Sequence, residues 1–169
     1  MARVVVANSS VLIHLSRINL LNLLKDLFGK IYIPEAVYHE VVTEGRGKSG
    51  ADVVERANWI KTEPVRNRVL VNYLSTELDH GESEAIVLAM ELKADLILLD
   101  ESEARKIARS LGLNTKGTIG VLLLAWRKGL LDDIEKVINE LVSKGFWLKE
   151  TIRTKLLQEI KKAQKRLRK

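Results

Sequence analysis

Five polar side chains stand where a parallel-sheet protein gathers its chemistry: Asn8, Glu40, Glu82, Asp100 and Glu103. Asn8 closes the apolar run Val4-Val5-Val6, and Asp100 closes the run Leu96-Ile97-Leu98-Leu99. Glu103 follows Asp100 into the next segment, Glu40 lies about one turn into a helix that follows a strand, and Glu82 opens a helix after a loop. In an open parallel sheet, ligands bind beyond the carboxyl ends of the strands. Folding is therefore expected to gather these five into one pocket. Carboxylates that converge without Lys or Arg repel one another unless a cation neutralises them. Hard oxygen donors select Mg²⁺ or Mn²⁺. Such ions activate water and stabilise in-line displacement at phosphorus. The chemistry expected of the set is phosphodiester hydrolysis.

The same residues have a purely structural reading. Asp79-His80-Gly81-Glu82 and Asp100-Glu101-Ser102-Glu103 both fit a capping box, in which the acid three residues on reaches back to the cap. Asn8 is an acceptable N-cap, and Glu40 is compatible with an exposed helix surface. Type and spacing leave both readings open.

The elements that must position these residues follow from periodicity. Val4-Val5-Val6, Ile31-Tyr32-Ile33 and Leu96 to Leu99 read as buried strands, with an extended stretch at Trp59 to Thr62. Leu12, Leu15 and Ile18, then Leu20, Leu21, Leu23, Leu24 and Leu27, have helical spacing, and Gly29 stops that helix. Pro34 opens the next helix, where its missing N–H costs nothing. Gly45 to Gly50 is the most loop-like stretch. Further helices are expected over 66–74, 82–92, 104–111, 117–128 and 132–144, and from about Glu150 onward. Apolar strands alternating with amphipathic helices imply a parallel sheet covered on both faces.

The 169 residues, 46% of them hydrophobic, suit one ordinary domain with a substantial core. The absence of cysteine excludes disulfides, thiolate metal sites and a Cys nucleophile. No apolar run has transmembrane length, and none resembles a signal peptide, so a cytoplasmic protein without membrane contact is expected. The net charge of +6 is unevenly placed. Residues 151–169 carry eight bases (Arg153, Lys155, Lys161, Lys162, Lys165, Arg166, Arg168, Lys169) and one acid, Glu159, whereas the rest carries 20 bases against 21 acids. A basic tail suits nucleic acid or an acidic partner, and equally a solvated helix face.

Other residues attract a functional reading less well. His14, His39 and His80 lack any metal-binding spacing. Lys116-Gly117-Thr118-Ile119-Gly120 lacks the spacing of a phosphate loop and reads as a strand-to-helix turn, with Thr118 near the cap. Arg105 and Arg109 read as surface residues, and Trp126, Phe146 and Trp147 as core or interface.

Four stretches in order carry a family resemblance: Val5 to Ile13, Ile31 to Val41, Gly81-Glu82-Ser83-Glu84-Ala85-Ile86 through Asp100, and Lys116 to Leu122. From Val4 to Leu130 the chain resembles the PIN domain, specifically small prokaryotic proteins similar to VapC-type toxins. The resemblance implies an α/β, three-layer Rossmann-like fold with a parallel central sheet. It implies a PIN-like domain over residues 1–145, with 146–169 as a basic amphipathic C-terminal helix. It further implies a Mg²⁺- or Mn²⁺-dependent endoribonuclease acting on single-stranded RNA, a homodimer, and a small antitoxin as possible partner. The family's acids fall on Asn8, Glu40, Glu82 and Asp100, with Glu103 as an additional metal ligand and Ser10 and Thr118 in support. The departure is Asn8, where the family normally has Asp. An amide oxygen still ligates, but it brings no charge and cannot act as a base. The alternative is therefore a catalytically weakened or inactive nucleic-acid- or protein-binding module on the same fold. A third reading is an interaction protein working through its C-terminal helix.

Overall fold

The computed structural model describes residues 3–168; Met1, Ala2 and Lys169 of the basic tail lie outside the described residues. Five parallel strands form one sheet: β1 (Val5–Ala7), β2 (Ile31–Pro34), β3 (Ile60–Glu63), β4 (Leu96–Leu98) and β5 (Thr115–Lys116). Their order is β3-β2-β1-β4-β5. The chain therefore winds outward from β1 in one direction, then returns to place β4 on its other side. That reversal between β1 and β4 is the point where such sheets open a crevice for ligands.

Strand alternation divides the core between the two faces. Val5, Ala7, Leu96 and Leu98 face one layer, and Val6, Ile97 and Leu99 face the other. The first layer contains α1 (Ser9–Arg17), α2 (Asn22–Phe28), α8 (Thr118–Arg127) and α9 (Ile134–Ser143), all of which bury residues there. The second contains α5 (Arg68–Leu74), α6 (His80–Glu91) and α7 (Ser102–Ser110). α6 is buried continuously from Gly81 to Ala89. It is roofed by α5 and by α3 (Glu35–Tyr38), which runs on into a π-helical turn, His39–Thr43. α4 (Ala51–Arg56) packs against that turn, and Val37, Val41, Val42 and Val54 are buried in the first layer's core. α10 (Glu150–Leu167) buries Ile160 in the first layer's core and leaves its basic residues largely outside. Among the described residues no helix is long and apolar enough to cross a membrane.

The single helix expected from Leu12 to Leu27 is two helices. Asn19 takes a left-handed φ of 58°, and Leu20 N–H donates back to Leu15 O at 2.8 Å, which closes α1. Asn tolerates that conformation because its short polar side chain bonds locally, and the backward bond is the usual way such a helix end is satisfied. Leucine spacing carries the eye across the break because both helices bury the same face. The two-residue strand β5 has no apolar run to announce it.

Candidate active site

Asn8 leaves β1 at the switch point. Its N–H donates to Leu98 O at 3.0 Å, tying it to β4, and its side chain is buried. The capping bond compatible with its sequence position does not form. Its Oδ1 is buried with no hydrogen-bond partner, as is Ser10 Oγ one residue into α1. Ser9 Oγ donates to Glu40 Oε2 at 2.7 Å, which brings Glu40 from the π-helical turn to the start of α1.

Glu40 also lies against Gly81, where a Cβ would collide with its Oε1. The glycine at the head of α6 is thus required by a close approach rather than by backbone strain. Burial raises the Glu40 carboxyl above its ordinary range, against the Ser9 bond, and the nearby charges of Asp79 and Glu44 push the same way.

Glu82 forms the expected capping box. Its N–H donates to Asp79 Oδ1 at 2.7 Å, and Asp79 N–H donates to Glu82 Oε1 at 3.1 Å. The structural and functional readings of this residue coexist, because the box uses only one carboxylate oxygen. Oε2 is buried with no partner. Burial, assisted by the charges of Asp79 and Glu101, pushes the Glu82 carboxyl up to about 7.

Asp100 is held by the head of α8. Its Oδ1 accepts from Thr118 N–H and its Oδ2 from Thr118 Oγ1, both at 2.7 Å. A carboxylate there satisfies orphan donors at a helix start and suits the local dipole. This engagement explains why the second capping box does not form: α7 begins after Glu101 with no side-chain cap. Thr118 is fully buried. Arg105 is half-buried, and its Nη1 donates to Asp100 O at 2.8 Å and Leu99 O at 3.3 Å, so it fixes the strand end instead of lying on the surface. Glu103 is exposed on α7 and makes no hydrogen bond or ion pair among the described residues.

Ser9, between Asn8 and Ser10 in the chain, is thus the residue that brings Glu40 to the start of α1, while Asn8, Ser10, Glu82 and Asp100 do not line the cleft beside Glu40. Asp100 stands beyond the adjoining strand, and Glu82 is linked to Glu40 through the charge of Asp79, which acts on both. Among the described residues no three His, Asp or Glu side chains stand close enough to hold one ion by themselves. Beside Glu40 opens a cleft of about 1110 Å³, lined by Arg17, His39, Lys48, Asp79 and His80 among others.

Sequence reasoning gave no site role to Ser9 and Glu84, read Asp79 only as a helix cap and set His14 aside. Glu84 is buried two residues from Glu82, accepts from Ala36 N–H at 3.1 Å and Arg68 Nη1 at 2.8 Å, and pairs with His80 Nε2 at 3.2 Å. The only signal was the doubled acid of Gly81-Glu82-Ser83-Glu84. Residues two apart on a helix point to different neighbours, and only the packing of α3 and α5 over α6 assigns them. His14 faces the Asp100 charge while burial lowers its pKa.

A sequence profile of the PIN domain matches residues 4–162, which includes most of α10. A search of curated proteins finds no match. The PIN domain is a nuclease fold, and this chain has the parallel sheet, the covering helices on both faces and the carboxylates at the switch point. The chain belongs to the PIN-domain family.

Proposed function

We propose that the protein is a Mg²⁺- or Mn²⁺-dependent endoribonuclease that cleaves single-stranded RNA in the cleft beside Glu40. The observation that carries this reading is the set of buried oxygens without partners: Asn8 Oδ1, Ser10 Oγ and Glu82 Oε2. Burying a polar oxygen unpaired costs about 1–3 kcal/mol, so Asn8 Oδ1 and Ser10 Oγ beside the end of β1, and Glu82 Oε2 at the head of α6, would each gain from a bound group. All are hard oxygen donors, which fits a divalent ion. Among the described residues no three carboxylates cluster, so an ion here would rest on one or two carboxylates and keep several waters. Asn8, Glu40, Glu82 and Asp100 would hold it, with Ser10 and Thr118 in support and Glu103 recruited only by movement of α7. When bound, the ion supplies an acidified water and counter-charge for phosphoryl oxygens.

The chain's own residues do the rest. Ser9 fixes the Glu40 carboxylate, and Thr118 fixes that of Asp100. Arg17 and Lys48 line the cleft among the acids Glu35, Glu44, Asp79 and Glu84, with His39 and His80 paired to Glu44 and Glu84, so a phosphate backbone would rest on those two cations and on the ion. The resemblance to VapC-like proteins extends the proposal to a toxin held by a small antitoxin. A homodimer is supported by Val69 and Tyr73, one turn apart on α5 and 81% and 73% exposed.

The test is RNA cleavage over a Mn²⁺ series with wild type, Asn8→Asp and Asp100→Asn. Because Asn8 caps nothing, Asn8→Asp adds a charge to the site without replacing a structural bond. It should tighten Mn²⁺ binding and raise cleavage, while Asp100→Asn abolishes it. Identical behaviour of all three proteins rejects the nuclease and leaves the second reading, a binding module disarmed at Asn8. Light scattering at the 19.1 kDa monomer mass across a concentration series rejects the dimer.

A further inference from the structure

We infer that Trp147 is a stacking platform for an unpaired base of the RNA that enters the cleft. This rests on the nuclease reading but concerns a residue outside the catalytic set. Trp147 is 82% exposed, whereas Trp59 is buried and Trp126 half-buried in the core. Large aromatics bury most of their surface when packing is their role. Trp147 lies in the turn between α9 and α10, and that turn packs against the second half of α1. The neighbouring Phe146 ring meets His14 edge-on, with centroids 4.9 Å apart and planes at 76°. A Cβ on Gly145 would lie 3.6 Å from Arg17 Nη1, and Arg17 lines the cleft with Glu40. His14, on the same helix, feels the Asp100 charge. The indole is thus presented from a turn braced against the helix that Asn8 and Ser10 begin.

Its surroundings select the occupant. Lys144 and Lys149 flank it on the exposed turn, Arg17 lies behind, and basic α10 leads away from it. Ile152 is the only other strongly exposed large hydrophobic residue near it in sequence. Trp147 and Ile152, beside Lys144, Lys149 and the acid Glu150, make a patch far smaller than the roughly 800 Å² per partner of a stable protein interface. It matches single-strand recognition, where bases stack on aromatics while a positive track holds the backbone. Stacking accepts any base, so the platform would position the strand without reading its sequence.

The experiment uses full-length protein carrying Asp100→Asn, which blocks cleavage, and a fluorescent 12-mer of oligouridine. Trp147→Ala should weaken binding roughly tenfold, the loss of one base stack, and Trp147→Phe should recover most of it. The salt dependence of binding should keep its slope, because no phosphate contact is lost. Saturating RNA should quench an exposed indole emission that Trp147→Phe lacks. Unchanged affinity in Trp147→Ala, or emission indifferent to bound RNA, overturns the inference and leaves the nuclease reading standing. A fall in assembly mass on Trp147→Ala with RNA binding intact overturns it in favour of a protein interface. RNA binding by none of the proteins, with no cleavage by the wild type, overturns both readings together.

Discussion

Replacing Glu82 with Gln tests the site by stability alone, with no assay of activity. Burial lifts the Glu82 carboxyl from an ordinary 4.5 to about 7, so the folded protein holds this proton more tightly than the unfolded chain. The resulting advantage is complete below about pH 4.5 and is lost as the pH rises through about 7. A shift of that size corresponds to about 3 kcal/mol at most, at about 1.4 kcal/mol per pH unit. Gln does not titrate, and its carbonyl oxygen can still accept from Asp79 N–H, so the capping box survives. Its amide places a donor where Oε2 lacked a partner, a cost present at every pH. The prediction is therefore carried by a difference between two pH values. In EDTA, the stability of Glu82→Gln relative to wild type should improve by up to about 3 kcal/mol between pH 5 and pH 8.5. For a chain of this length that is roughly 6–12 °C in relative Tm. Adding Mn²⁺ at pH 8.5 should raise the wild-type Tm more than the variant's, because the ion favours the ionised carboxylate. Thermal melts at both pH values, with and without Mn²⁺, supply the measurement. A gap between variant and wild type that is the same at pH 5 and pH 8.5 refutes the buried, charge-stressed carboxylate.

Gly81→Ala should keep the fold while forcing the Glu40 carboxylate away from Ser9, so Mn²⁺-dependent cleavage should fall at least tenfold with circular dichroism unchanged; full activity would show that Glu40 needs no fixed position. Thr118→Val removes the hydroxyl from Asp100 Oδ2 in a fully buried setting, and urea titration should show a loss of about 1–3 kcal/mol, whereas Thr118→Ser, which keeps the hydroxyl, should recover most of it. Ile160→Ala should cost about 2–4 kcal/mol in the same titration because Ile160 belongs to the main core. A cost near zero would mark α10 as an appendage rather than part of the domain.

The sequence by itself determined the layers. Continuous apolar runs such as Val4 to Val6 and Leu96 to Leu99 must be buried on both faces, and the helical spacing between them supplies the covers. Four ordered stretches, from Val5 onward, sufficed for the family because each combines a strand end with a polar residue. The sequence also located the polar residues at strand ends, since a buried strand must stop where its side chains turn polar. It did not determine which acid does what. Asp100 reads equally as cap or ligand until α8 brings Thr118 across 18 positions to claim both of its oxygens. Asn8 reads as a cap until the backbone, committed to Leu98, leaves its amide oxygen unpaired. Glu82 and Glu84 are alike in the chain and separate only when α3 and α5 close over α6, one accepting Ala36 and Arg68 and the other left with a free oxygen. Trp147 reads as core or interface, and only the fold shows it exposed while the neighbouring Phe146 meets His14. In each case the missing information is a contact between segments far apart in sequence. Local spacing fixes an element's own face, whereas the partner that satisfies a given oxygen is chosen only when the layers pack.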